Sequence, residues 1–316
     1  MTAEHEGMDL RLLGPVRAWR DEAELPLGSA RRAAVLAVLA LHAGHAVSRQ
    51  QLVTALWGDE PPASATGNVY TYVSTLRKRL LEGGVERAVI RTQPPGYLAE
   101  LNPGELDSST FENLVADARQ RRAGNDLVGA GQAYRSALTR WRGEALGGIG
   151  DVLRTEAARL EDLRLSVLEE RIAVDLALGR EGELVTEVRA LSTQHPLRER
   201  LLGYLMVVLY RLGRQAEALE AFQQGRRLLA EELGIDPGPE LRSLYQAVLR
   251  ADQDMLGPPP NQMGQGRSGG PASGSAGSPG RRSAGASPRA SPRPLRPPAA
   301  GPRAPAGACA RRRAGR

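Results

Sequence analysis

Lysine is nearly missing from this chain: Lys78 is the only one among 42 Lys and Arg residues. A GxxxxGK(S/T) phosphate loop therefore cannot exist, nor can a lysine Schiff base away from Lys78, which removes the common ATPase and pyridoxal-phosphate readings. Cysteine is just as scarce. The single Cys309 permits no intramolecular disulfide, so a reducing compartment is expected. Long apolar runs are lacking too: the longest early one, residues 33–41, falls well short of the ~20 residues that cross a bilayer. The opening "MTAEHEGMDL" is acidic and has no apolar signal core. These features predict a soluble, cytoplasmic protein with no membrane contact.

Histidine gives four residues, His5, His42, His45 and His195, with no cysteine near any of them, so no metal site is expected. His42 and His45 read instead as the end of a helix beside Gly44. The carboxylates of residues 156–170 alternate with arginines at i,i+3 and i,i+4 spacing, the pattern of a solvated, ion-paired helix face. Trp141 and Tyr204 read as core packing rather than as anchors of a ligand pocket. No catalytic constellation and no cofactor site emerges, and the chain is read as a non-enzyme.

The formal net charge is +6. Residues 1–104 balance 11 basic against 11 acidic side chains, residues 105–256 carry 20 against 25, and residues 257–316 hold 11 arginines and no acid. The basicity thus belongs to the tail. Any nucleic-acid contact by the first two segments needs a local arrangement of charge, because their composition supplies none.

Three segments follow from pattern. In residues 1–104, strand-like alternation broken at Gly14-Pro15 and Asp21-Glu22 predicts a small antiparallel sheet. Ser29 then caps a helix ending near Gly44. Ser48 and Gln51 fit a capping box for a second helix with Leu52, Val53 and Leu56 buried. A third helix spans about residues 65–82, and "AVIRTQPPGYLAEL" reads as a hairpin. Sheet, three helices and hairpin describe an α+β winged helix-turn-helix.

Residues 105–256 are almost continuous amphipathic helix. "LALGREGELVTEVRAL" and "YRLGRQAEALEAFQQG" each place Leu-Gly-Arg at a turn, with Gly179 and Gly213 separated by 34 residues, the tetratricopeptide period; "RAGNDLVGAGQAYRSAL" is a weaker relative upstream. A helical bundle with a coincidental spacing is the alternative. Residues 257–316, rich in Pro, Gly, Ser and Arg, bury too little to offset ordering and are expected to be disordered. The fold class is therefore mainly α: a winged helix-turn-helix, an all-α tetratricopeptide-like domain and a disordered tail.

Within the third helix, Val69, Val73, Leu76 and Leu80 form one apolar stripe. Thr71, Ser74, Thr75 and Lys78 lie opposite, flanked by Asn68, Tyr72, Arg77 and Arg79. Short hydroxyl side chains let a helix backbone approach bases in a major groove, and long cations reach phosphates. In the wing, Arg91, Thr92, Gln93 and Tyr97 are candidate contacts, and Ser48, Arg49 and Gln50 begin the second helix, whose backbone N–H groups suit a phosphate. An adaptor whose winged helix makes protein contacts is the alternative, but it would not need a small polar face opposite an intact core stripe.

"SRQQLVTALWGDEPPASATGNVYTYVSTLRKRL" followed by "RTQPPGYLAEL" closely resembles the OmpR-type DNA-binding domain of the Streptomyces antibiotic regulatory proteins. The next segment resembles their bacterial transcriptional activation domain, with "EELGIDPGPELRSLYQAVL" matching its closing helices. The resemblance implies an activator of an antibiotic or other secondary-metabolite gene cluster. Such a protein binds direct repeats in double-stranded promoter DNA as a head-to-tail dimer and recruits RNA polymerase. Repeats in register would lie about one helical turn, ~10.5 bp, apart. It also implies a polymerase-contact loop containing Trp57, Asp59 and Glu60. Many relatives carry arginine where Thr75 stands, and neither a receiver domain nor an ATPase domain is matched.

Overall fold

The computed structural model describes residues 8–257; the expected disordered tail, apart from Gly257, and Cys309 lie outside the described residues. Strands β1 (Met8–Arg11), β2 (Arg17–Arg20) and β3 (Ala23–Leu25) form an antiparallel sheet in that order. Helices α1 (Ala30–Leu41), α2 (Arg49–Trp57) and α3 (Ala65–Glu82) follow. A second antiparallel sheet has the order β4 (Val47–Ser48), β6 (Gly96–Ala99), β5 (Ile90–Gln93). Sheet, helices and hairpin agree with the sequence reading. Strand β4 was not foreseen: two residues carry no readable period, and Val47 pairs with Tyr97 only once the hairpin has returned beside it.

Local chemistry explains most of these elements. The capping box is present: Ser48 Oγ accepts from the Gln51 N–H at 3.1 Å, and Gln51 Oε1 accepts from the Ser48 N–H at 2.8 Å. Ser29 occupies the N-cap position of α1, but its hydroxyl accepts from Arg32 Nε at 3.3 Å and makes no cap bond. Helix α1 is buried without a break from Ala33 to Ala40, as expected of a helix covered on all sides. At Gly96 a Cβ would collide with the Val47 carbonyl, so only glycine lets β6 approach β4.

The helical segment comprises α4 (Asp107–Ala123), α5 (Leu127–Leu138), α6 (Arg154–Ala177), α7 (Glu181–Gln194), α8 (Glu199–Arg211), α9 (Gln215–Leu233), α10 (Pro239–Arg250) and α11 (Gln253–Leu256). Gly179 and Gly213 turn the α6–α7 and α8–α9 hairpins at φ +71° and +75°. In both turns the next N–H bonds the carbonyl five residues back, Arg180 to Asp175 at 3.1 Å and Arg214 to Leu209 at 2.8 Å. The α4–α5 turn makes the same bond, Asp126 to Arg121 at 2.9 Å, with Asn125 at φ 63° in the glycine's place. Asparagine tolerates that left-handed conformation, which accounts for the weaker sequence match upstream.

One buried cluster runs from the N-terminal sheet through α1–α3 and on into α4, α5 and α6, and a second fills α6 to α11. The first crosses residue 104 without a gap because the N-terminal sheet is bonded to both sides. Asp107, at the start of α4, accepts the N–H groups of Leu12 at 2.8 Å and Leu13 at 3.1 Å. The Leu10 N–H reaches the Glu105 carbonyl at 2.7 Å, and Glu105 also pairs with Arg87 at the root of the wing. From the α5–α6 loop, Arg142 N–H bonds the Leu13 carbonyl at 2.7 Å and Leu146 N–H the Leu12 carbonyl at 2.9 Å. Burial pushes the Asp107 carboxyl above its ordinary range, against the pull of the Leu12 and Leu13 N–H groups.

Trp141 is buried, edge-on to Phe111 with centroids 5.6 Å apart, so it packs the core as the sequence reading held. The solvated-face expectation for residues 156–170 holds only in part. Glu156–Arg159 and Glu161–Arg164 are surface pairs at 3.0 and 3.5 Å, whereas Glu169 is buried. Glu170 accepts two bonds from Arg119, at 2.9 and 2.7 Å, and one from the Tyr134 hydroxyl at 2.7 Å. The reason is position: α6 has α5 on one side and α7 and α8 on the other, so its C-terminal half has little surface left to solvate.

Candidate nucleic-acid interface

Helix α3 packs against α1 and α2 through Val69, Val73, Leu76 and Leu80, all buried. That fixes its rotation, and Thr71, Ser74 and Lys78 are exposed on the opposite side, with Thr75 and Asn68 half-buried beside them. Two of the hydroxyl groups are already engaged. Thr71 Oγ1 donates to the Gly67 carbonyl at 3.0 Å and Thr75 Oγ1 to the Thr71 carbonyl at 2.8 Å. Their hydroxyl protons turned back on the helix, both threonines offer lone pairs and a methyl outward. Asn68 Nδ2 donates to Ser64 Oγ at 3.1 Å, leaving its carbonyl oxygen as acceptor.

The basic cluster divides three ways. Arg77 donates from Nε to the Ile90 carbonyl and from Nη2 to Thr92 Oγ1, both at 2.9 Å, and lies 5.7 Å from the Tyr97 ring centroid. It therefore holds the wing against α3 and is not a free arm for phosphate. Arg79 donates to the Pro26 carbonyl at 2.7 Å, tying α3 to the end of the first sheet. Only Lys78 projects, its side chain 76% exposed, with Glu82 one turn on at 3.7 Å.

In the wing, Arg91 pairs with Glu100 at 2.6 Å across the hairpin, and Thr92 and Gln93 are exposed near its tip. Tyr97 is a correction. It is 2% exposed and serves as a platform between Arg77 and Arg49, the latter 6.0 Å from its centroid, because the β4 pairing draws that face of β6 inward. Ser48 is occupied by its capping box, and Arg49 and Gln50 stand exposed in the first turn of α2.

Two further corrections concern the α2–α3 corner. Trp57 does not project from the loop; it is half-buried, stacked on Tyr72 with centroids 6.5 Å apart and planes at 19°, with Arg31 5.8 Å above its ring. Tyr72 is accordingly turned toward α2, away from the polar face. Asp59 and Glu60 are exposed in the loop. Arg31 had no signal in the sequence, since nothing local marks a helix residue that reaches the ring of a later one. Tyr70, 68% exposed, was also passed over, because the stripe pattern left it on a flank.

Among the described residues no group of three or more His, Cys, Asp or Glu is placed to hold a metal ion, and no helix is long and apolar enough to cross a membrane. His42 Nδ1 sits 2.9 Å from the Val38 carbonyl at the end of α1.

Two family models match the chain: "Transcriptional regulatory protein, C terminal" over residues 23–99 and "Bacterial transcriptional activator domain" over residues 106–249. Regulatory protein AfsR of Streptomyces coelicolor is 45% identical over 253 residues, covering 79% of this chain and 25% of AfsR, so the chain spans about a quarter of that relative. Regulatory protein DnrI of Streptomyces peucetius is 37% identical over 253 residues, covering 78% of this chain and 93% of DnrI. The solved structure of Mycobacterium tuberculosis EmbR, in complex with a low-affinity phosphopeptide, superposes with a TM-score of 0.73 at 33% identity, over 77% of this chain and 65% of that one. With DnrI matched over nearly its whole length and both domain models in the same order, this chain belongs to the Streptomyces antibiotic regulatory protein family of transcriptional regulators.

Proposed function

We propose that the protein is a sequence-specific DNA-binding transcriptional activator of a secondary-metabolite gene cluster. The observation that carries this reading is the outward face of α3, where Thr71, Ser74 and Lys78 stand exposed opposite a completely buried apolar stripe, with the wing held beside it by Arg77. A helix so presented fits a major groove, with lone pairs and methyls for base edges and Lys78 for a phosphate or a guanine. The net neutrality of residues 1–104 means that this local placement, and not bulk charge, has to supply selectivity.

Residues 1–104 are assigned to DNA, residues 105–256 to contacts with the transcription machinery, and the arginine-rich residues 257–316 to non-specific affinity. Asp59 and Glu60, exposed between α2 and α3, and the helical segment are the surfaces offered to RNA polymerase. Membership of the Streptomyces antibiotic regulatory protein family supports the link to antibiotic biosynthesis, and head-to-tail binding at direct repeats in the cytoplasm is proposed with it. The test is footprinting of the full chain on promoter fragments neighbouring its gene. Protection of repeats about one helical turn apart at ~150 mM salt is expected, and no preference over bulk DNA would overturn the reading.

A further inference from the structure

Helix α3 carries a glycine that the protein's own packing does not require. Gly67 is the third residue of the helix, its φ is negative, and a Cβ built there would meet nothing within 4 Å. Glycine is a poor helix former, so within a helix it costs stability unless backbone conformation or close packing demands it. Neither applies here. The space above Gly67 is open solvent in the free protein.

One turn further on the same side stands Tyr70, the most exposed of the large hydrophobic side chains among the described residues at 68%. Its ring stacks on no other, and its hydroxyl has no hydrogen-bond partner within the described residues. Ser74, four residues on, is exposed and its hydroxyl is likewise unengaged. Residues at i−3, i and i+4 share a helix face, so Gly67, Tyr70 and Ser74 form one row beside Thr71 and Lys78. Arg77 continues that row and bonds the wing, so the row runs along the side of α3 that faces the hairpin.

We infer that Gly67 and Tyr70 are contact residues for double-stranded DNA, which extends the reading face into the first turn of α3. This rests on the DNA-binding function proposed above. The missing side chain at Gly67 lets the α3 backbone approach the groove wall, and the Tyr70 ring lies against a sugar or a thymine methyl while its hydroxyl meets a phosphate or base acceptor. Such a role explains two features that folding alone opposes, a helix glycine with free space around it and an aromatic ring left in water.

The test uses the full chain on the promoter fragment that the wild type protects, with thermal unfolding measured in parallel. Gly67→Ala is expected to raise the melting temperature, because alanine favours helix and has room, while weakening specific DNA binding about tenfold. Tyr70→Ala is expected to weaken binding by about the same factor with little change in melting temperature, and Tyr70→Phe to recover the part owed to the ring. If Gly67→Ala and Tyr70→Ala both bind like wild type, the inference fails while the DNA-binding reading stands. If instead Tyr70→Ala leaves binding to a single site intact but abolishes joint occupancy of a repeat, Tyr70 meets a second copy and the inference also fails. If wild type protects no fragment, the parent reading falls first.

Discussion

Helices α3 and α6 both mix apolar with polar side chains and place the polar ones in opposite directions. Helix α3 buries only apolar side chains and sends its hydroxyls and its lysine outward. Helix α6 buries Glu169, Arg171 and Asp175 among Leu160, Val167, Ile172 and Val174. Asp175, 2% exposed, accepts from Arg135 of α5 at 2.8 Å, Arg171 at 3.0 Å and Arg180 of the following turn at 3.1 Å. The difference lies in neighbours. Helix α3 is covered on one side by α1 and α2, while α6 lies between helices, so its charged groups must find partners within the protein.

The sharpest way to break this contrast is to remove the anion that three arginines share. Asp175→Ala is expected to cost about 3 kcal/mol, the low end for a broken buried pair, read from urea unfolding, since it leaves the buried Arg171 with Glu187 alone while the more exposed Arg135 and Arg180 turn to water. A loss below ~1 kcal/mol would mean that Arg171 too finds water or other carboxylates, and α6 would then differ little from α3.

On α3 the two adjacent cations should separate. Lys78→Ala is expected to leave stability within ~0.5 kcal/mol while weakening DNA binding, by ~1–3 kcal/mol at one base position if it reads a base, or evenly across sequences with a salt slope lower by about 1 if it meets a phosphate. Arg77→Ala should lower both, at about 1–2 kcal/mol of stability, because it releases the Ile90 carbonyl and Thr92 as well as the wing. Equal effects of the two substitutions on stability would show that the wing is held by other contacts.

Ser48→Ala removes a capping box at the start of α2 and is expected to cost about 1 kcal/mol, measurable as a shifted denaturation midpoint with an unchanged slope.

The smallest effects separate neighbours on α6. Burial alone would raise the Glu170 carboxyl, but the bonds from Arg119 and Tyr134 outweigh it and hold Glu170 below the usual carboxylate range. Its contribution to stability is thus full above that range and lost as pH falls through its lowered value. Burial pushes the Tyr134 hydroxyl up to about 12, followed by its bond to Glu170, so it stays protonated throughout. Glu169 is shifted the other way. Burial raises it, opposed by Arg200, and one of its oxygens has no partner. Its folded form holds a proton more tightly than the unfolded chain does, so its contribution is full in acid and lost as pH rises through the raised value. At neutral pH, Glu170→Gln should therefore destabilise and Glu169→Gln should be neutral or stabilising, with the first difference shrinking in acid. Denaturant midpoints at neutral and mildly acid pH decide, and effects of the same sign at neutral pH would refute the opposed shifts.

Much of the fold was legible in advance because its signals are local. The stripe of α3, the Ser48–Gln51 box, the Pro-Pro-Gly hairpin and the paired Leu-Gly-Arg turns each lie within a few residues of sequence, where period and turn chemistry act. The outward placement of Thr71, Ser74 and Lys78 followed from the stripe alone. Side-chain partners at long range did not. Arg77 meets the wing 13 and 15 residues on, and Arg79 reaches Pro26, 53 residues back. Tyr97, read as a wing contact, turned inward under a two-residue strand, and Trp57, read as a loop contact, turned onto Tyr72.

Sequence by itself determined which helix presents a polar face, where the helices turn and that the charge excess lies in the tail, because periodicity, capping and composition are properties of neighbouring residues. Tertiary structure alone decided which of the basic residues on α3 projects from the protein, which carboxylates of α6 are buried, and that one core continues from the winged helix into α4 through Asp107 and Glu105. Those outcomes depend on which distant surfaces exclude water from a given side chain, and no short stretch of the chain encodes that.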